Sequence, residues 1–143
     1  MSVKQISVFL ENRPGTLISL TEALAENNID LRAMSLAETK DFGIARLIVD
    51  DVYEASTVLK DAGLISSLTP VVAAAIPEDQ PGGLNAILKV LKEADVNVEY
   101  MYASLGMNAE DAYMILRVTD TEKAERALTK NGIRLVGQEE ISE

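Results

Sequence analysis

Residues 10–17 read LENRPGTL, and residues 77–84 read PEDQPGGL. Each stretch sets a Pro-Gly pair between an apolar run and a run of helical periodicity, and each ends on leucine. A turn made twice in this way points to a duplicated unit, and internal repeats decide a fold before any local signal does. At an offset of 67 residues Pro14, Gly15 and Leu17 match Pro81, Gly82 and Leu84, while Leu24, Glu26 and Met34 match Leu91, Glu93 and Met101. ENNIDL at 26–31 answers EADVNV at 93–98. Farther along the offset is 69, pairing Ala55 with Ala124, Leu59 with Leu128 and Gly63 with Gly132. The two extra residues fall in LGMNAED, against AETKDFG in the first copy, where a hairpin turn absorbs them at little cost.

Each copy carries one order of local signals. VKQISVFLE is strand-like, with Val3, Ile6, Val8 and Leu10 supplying alternate apolar positions over most of its length. RPGTLISLTEALAENN puts Leu17, Leu20, Leu24 and Ala25 on one helical stripe. IDLRAMSLA and GIARLIVD predict a hairpin, and a second helix is predicted over 52–62 with Ala55, Val58, Leu59 and Ala62 inward. Gly63 stands where a helix C-terminus needs a left-handed residue, and LISSLT predicts a short fourth strand. The second copy repeats this with VVAAAI, then a helix GGLNAILKVLKEAD bearing Leu84, Ile87, Leu88, Leu91 and Ala94. VNVEYMYAS and AYMILRVTD form its hairpin, EKAERALTKN its second helix, and IRLVG its last strand.

The expected fold is therefore α+β: two ferredoxin-like βαββαβ domains in tandem, each an antiparallel sheet with both helices on one face. The boundary is expected at Thr69-Pro70, giving domains 1–69 and 70–143, with Pro70 breaking any continuing ladder. Apolar residues on both strand faces, such as Met34 and Leu36 beside Leu31 and Ala33, predict that the second sheet face is at least partly buried.

Composition narrows the chemistry. A chain of 143 residues that is 48% hydrophobic has material for packed cores and should be folded and soluble. A formal charge of -10 opposes nucleic acid and an anionic membrane surface as partners. No segment has the unbroken apolar length of a membrane span and the N-terminus lacks a signal-peptide layout, so a cytoplasmic location is the default expectation. With no Cys and no His, the chain can form no disulfide, thiolate nucleophile, imidazole base or Cys/His metal site. Carboxylate pairs remain available for acid–base catalysis or for a hard cation, but the acidic residues are spread mostly over predicted helix surfaces and turns, which suits a solvated acidic face. Neither a metal nor a cofactor is expected, and no enzyme activity.

The Pro-Gly turns admit two uses. The first turn of a helix leaves backbone N–H groups without intrahelical partners at the positive end of the helix dipole, so an anion is stabilised there. Pro14 and Pro81 fix the direction of the chain, and Gly15, Gly82 and Gly83 let a ligand approach the main chain. Asn12 or Gln80 could hold an amine or amide and Asp79 an ammonium group, which completes a cradle for an α-amino acid. Against this, Pro-Gly is a common turn dipeptide, and duplication copies turns as faithfully as sites. Arg13 beside Glu11 suits a surface ion pair, and Tyr100 and Tyr102, on one strand face with Met101 on the other, suit packing as well as ligand contact.

The whole chain, from about Val3 to Ile141, resembles a tandem pair of ACT domains, the regulatory modules associated with enzymes of amino-acid metabolism. The resemblance rests on ENRPGTL and EDQPGGL at the first strand-to-helix turn, on NNIDL and ADVNV leading into the second strand, and on their order in both copies. It implies a regulatory sensor that binds a free amino acid or similar small carboxylate at an interface between ACT units and has no active site. Carried onto this chain, the ligand-binding positions are Asn12, Arg13, Pro14, Gly15, Thr16 and Leu17, then Asp79, Gln80, Pro81, Gly82, Gly83 and Leu84. The second strands would contribute from the region of Asn97 to Tyr102, notably Tyr100 and Tyr102, and from Ala33 to Ser35. Asn12-Arg13 in one copy became Asp79-Gln80 in the other, so one turn carries a cation and the other an anion, and one of them should do most of the binding. With no catalytic domain attached, the chain is expected either to regulate a separate amino-acid-metabolism enzyme by association or to act as a free-standing sensor, and the edges and face that such a sheet exposes predict a homodimer. The alternative is an oligomerisation or regulatory subunit module that binds a partner enzyme without a small ligand.

Overall fold

The computed structural model describes residues 2–38, 41–76, 81–104 and 112–143. The order of elements is β1 (Val3–Glu11), α1 (Thr16–Glu26), β2 (Leu31–Glu38), β3 (Phe42–Val49), α2 (Val52–Asp61) and β4 (Ile65–Ala75). It continues with α3 (Gly83–Glu93), β5 (Val98–Ala103), β6 (Tyr113–Val118), α4 (Thr121–Lys130) and α5 (Gln138–Ser142). The fold is α+β and ferredoxin-like. Contacts gather the chain into two compact units, Lys4–Thr69 with Ser142–Glu143, and Pro70–Ile141 with Val3.

In the first unit the strands lie in the order β2-β3-β1-β4. β1 runs antiparallel to β3 with Val8 opposite Ala45, and β2 runs antiparallel to β3 with Met34 opposite Leu47. Side chains alternate across a strand, so Ile6, Val8 and Leu10 share one face with Ala45, Leu47 and Val49. That face meets Leu20 and Leu24 of α1 and Ala55, Val58 and Leu59 of α2 in one core. Each valine, leucine or isoleucine side chain taken fully from water contributes about 1.5–3 kcal/mol. The opposite face is also buried in part, at Ile48, Ala33, Gln5 and Ser7, and Gln5 Nε2 donates to Ser7 Oγ across 3.1 Å.

The second unit repeats the plan. β4, β6 and β5 are neighbours in that order, Val72, Ala74, Met114, Leu116 and Val118 point to the helices, and Ile87, Leu91, Ala124 and Leu128 answer them. Even the irregularities recur: β2 bulges between Leu31 and Ala33, and β5 between Val98 and Tyr100, the same place in each copy. α2 and α4 open on Asp51 and Asp120, whose side chains accept from the N–H of Glu54 and Lys123. Gly63 has φ 81, and Leu64 N–H reaches back to Leu59 O, the left-handed ending its position predicts.

Four details differ from the sequence expectation. Pro70 does not end the strand: β4 runs through it without interruption from Ile65 to Ala75. A proline's fixed φ is compatible with an extended chain and only its N–H is missing, while its carbonyl still accepts from Arg117 Nη1 at 2.9 Å. IRLVG does not form a full strand: Leu135 makes one antiparallel bridge to Ala74, flanked by Ala75 N–H to Arg134 O and Val136 N–H to Ala73 O, both 2.8 Å. The chain then turns into the short helix α5, whose Ile141 is buried. Finally, Ala25 and Ala62 are exposed rather than inward, and Ala23 packs on the α1 stripe instead. Ala62 has left the helix at its C-cap.

Candidate functional site

β1 delivers the chain to the first Pro-Gly turn. Asn12 N–H donates to Asp41 O across 3.1 Å, one residue beyond the last ladder pair, and Arg13 N–H turns back to Glu11 O across 2.9 Å. Gly15 follows Pro14 with φ 90 and ψ −13, a left-handed conformation that a Cβ would strain. Nothing lies within 4 Å of where that Cβ would stand, so the backbone angle and not crowding calls for glycine. The same unobstructed space lets a ligand approach the main chain.

α1 begins at Thr16. Its hydroxyl is turned back onto the turn, 2.8 Å from Glu11 O and 3.0 Å from Arg13 O, and Ser19 Oγ donates to Gly15 O at 2.9 Å. No side chain caps the α1 N-terminus and its first turn holds no acidic residue. The positive end of the helix dipole therefore has no side-chain anion of its own helix. Arg13 Nε lies 2.8 Å from Glu11 Oε2, with both side chains well exposed, as the sequence suggests. Asn12 Nδ2 donates to Glu38 Oε2, the last residue of β2, across 3.0 Å. Leu17 packs partly against the core. The first turn thus joins Asn12, Arg13, Pro14, Gly15 and Thr16 at one corner of the unit, with Glu11 and Glu38 beside them.

Asp79 and Gln80, named from the second turn, lie outside the described residues. Gly82 has φ 91 and ψ 12, and α3 likewise opens with no side-chain cap. Pro81 and Gly82 are exposed, Gly83 is buried as the first residue of the helix, and Leu84 packs on the core. Where the first copy has the Thr16 hydroxyl, the second has Gly83, so no side chain there can bind back to the turn.

In the second strands Ala33, Ser35, Tyr100 and Tyr102 stand on the sheet face away from the helices. Tyr100 pairs across to Arg117 and Tyr102 to Ile115, with Tyr100 half-buried and Tyr102 buried. Ala33 is buried opposite Ile48, and Ser35 is half-buried opposite Arg46. Asn97 is held by its backbone, its N–H on Thr119 Oγ1 at 3.2 Å and its carbonyl accepting from Thr119 N–H at 3.1 Å. Sequence reasoning missed Glu38, Arg46 and Arg117. Strand alternation could have found Arg46, which is polar on an otherwise apolar strand, while Glu38 became visible only through the hairpin register that sets it opposite Gly43. Among the described residues no helix is long and apolar enough to cross a membrane, and no three acidic side chains are grouped to hold a metal ion.

The sequence matches the ACT domain pair family over residues 1–143. The chain is an ACT domain pair. The crystal structure of protein BT0572 from Bacteroides thetaiotaomicron is 36% identical to this ACT pair, covers 100% of it with 97% of its own chain, and superposes with a TM-score of 0.91. The regulatory subunits of aspartate kinase from Thermus thermophilus, in a ligand-free form, and from Thermus flavus share the fold at 18% identity. Their TM-scores are 0.63 and 0.56, with about nine-tenths of each chain covered (90% and 90%, 91% and 92%). No curated protein matches the sequence. The ACT pair thus has the expected architecture, with its two Pro-Gly turns at helix N-termini that carry no side-chain cap.

Proposed function

We propose that this ACT pair, with residues 1–69 and 70–143 as its two domains, is an amino-acid-binding regulatory protein of amino-acid metabolism without an active site of its own. The observation that carries the proposal is the repeated geometry of the turns. Both α1 and α3 open at an exposed Pro-Gly with a left-handed glycine and no side-chain cap, inside a family match that spans the chain. A ligand carboxylate at such a helix start accepts otherwise unpartnered N–H groups and gains from the dipole. Asn12, Arg13 and Thr16 frame the first cradle and Asp79 and Gln80 the second, with Pro14, Gly15, Leu17, Pro81, Gly82, Gly83 and Leu84 as their backbone and support. Tyr100 and Tyr102 are the second-strand contribution. The protein works as a cytoplasmic homodimer, and a ligand that binds one state of association better shifts the population toward it. The same fold serves as a regulatory subunit of aspartate kinase in two Thermus species, which supports an enzyme of amino-acid metabolism as partner at the level of analogy.

Isothermal titration and thermal-shift measurements with the twenty amino acids, one at a time, test the proposal. A saturable heat and a raised midpoint for one or a few of them is the expected result. Silence from all twenty would overturn the small-ligand reading. A module that docks on a partner without a ligand is favoured by one feature: Asn12, Arg13 and Thr16 already have partners within the chain. Light scattering with and without amino acids separates the two, since only the sensor changes its association.

A further inference from the structure

The first turn is already approached by a carboxylate of its own unit. Met34 faces the core opposite Leu47, and side chains alternate along a strand, so Glu38, four residues on, stands on the same helix-side face of β2. In the ladder Glu38 is opposite Gly43, and Gly43 is opposite Leu10, two residues before Asn12. Gly43 puts no side chain between them. Across this row the Glu38 carboxylate accepts the Asn12 amide at 3.0 Å, at the corner where α1 begins. The only guanidinium of the turn, Arg13, is paired with Glu11 at 2.8 Å. An incoming carboxylate therefore meets an occupied amide and two carboxylates, with no cation free of a partner inside the turn.

We infer that Glu38 is a tethered competitor that holds the first Pro-Gly turn in a self-occupied state, so that a ligand binds there only by displacing the Asn12–Glu38 contact. This rests on the reading of the turns as amino-acid sites and says how one of them is regulated. At the offset of 67 residues the sequence sets Asp79 in the place of Asn12 and Leu105 in the place of Glu38, so this amide–carboxylate pair is not repeated at the matching positions. Both partners of the contact are exposed, which keeps its strength in the range of a surface charge contact.

The experiment titrates full-length wild type, Glu38→Ala, Asn12→Ala and the double variant with each of the twenty L-amino acids. Glu38→Ala should bind its preferred amino acid about two- to fivefold more tightly than wild type, the span of an exposed pair. In the Asn12→Ala background the same change should have a smaller effect, because the contact is already gone. Binding seen with Glu38→Ala and not with wild type also supports the inference. Equal affinities of wild type and Glu38→Ala overturn it and leave the amino-acid reading standing, whereas no binding by any of the four proteins overturns both. Glu54→Gln, an exposed acid on α2, is the charge control. If it tightens binding as much as Glu38→Ala does, the effect is net charge and the inference falls.

Discussion

Arg117 Nη1 donates to the carbonyl oxygen of Pro70 across 2.9 Å, and its Nε lies 3.3 Å from Glu99. One guanidinium on β6 thereby holds β4 at the residue that offers no N–H and β5 at its bulge. Arg117→Ala should lower the free energy of unfolding by about 1 kcal/mol, the net worth of a charge-assisted bond discounted for its partial exposure. Arg117→Lys should restore less than half of that, because a single ammonium cannot serve two diverging acceptors as a fork does. Urea unfolding followed by circular dichroism reads both. An alanine variant as stable as wild type would show that β4 holds its course without the contact.

Core positions in both units should respond alike. Leu47→Ala and Leu116→Ala each empty a fully buried site and should cost about 2–5 kcal/mol. Ile65→Ala, at a residue 72% exposed, should stay within about 0.5 kcal/mol of wild type. If Ile65→Ala matched the core variants in denaturant melts, that residue would have to be covered in solution.

Helix starts divide into two kinds with different sensitivities. Removing the cap with Asp51→Ala or Asp120→Ala should cost about 1 kcal/mol each, since Glu54 N–H or Lys123 N–H loses its acceptor. At the uncapped starts, Gly15→Ala and Gly82→Ala should cost about 1–2 kcal/mol for a different reason, the left-handed backbone angle. Because the Cβ would touch nothing, Gly15→Asn should cost less than Gly15→Ala. Equal thermal midpoints for those two variants would contradict the backbone explanation.

Ligand stoichiometry should expose the inequality of the turns. With one turn doing most of the binding, titration should give close to one amino acid per chain. Only one of Gly15→Ala and Gly82→Ala should then abolish the heat. Two equivalent sites per chain, each halved by one substitution, would refute that division.

Much of this was legible in the sequence because the repeat supplied a second sample of every signal. A turn, a stripe such as Leu20 and Leu24, and a C-terminal cap such as Gly63 each recur 67 or 69 residues on, and physics that acts locally acts the same way twice. What escaped depends on partners distant in sequence. Pro70 looks like a breaker until Arg117, 47 residues away, is found on its carbonyl. Arg134 and Val136 read as strand by alternation, yet only one bridge to Ala74 forms before α5 begins. Glu38 looked like loop, and only the register of β2 against β3 revealed that it reaches Asn12, 26 residues before it.

The strand β4 carries a consequence for how such a pair can change over generations. Its residues Ile65–Thr69 belong to the first unit and those from Pro70 onward to the second, so the seam between the copies falls inside an element instead of in a loop. Recombination that exchanges whole modules works best where a cut severs no pairing. Here a break at the seam would leave each half ending in the middle of a strand. Excising either unit at that point would therefore cut through β4, so neither half is expected to be exchanged as a self-contained module.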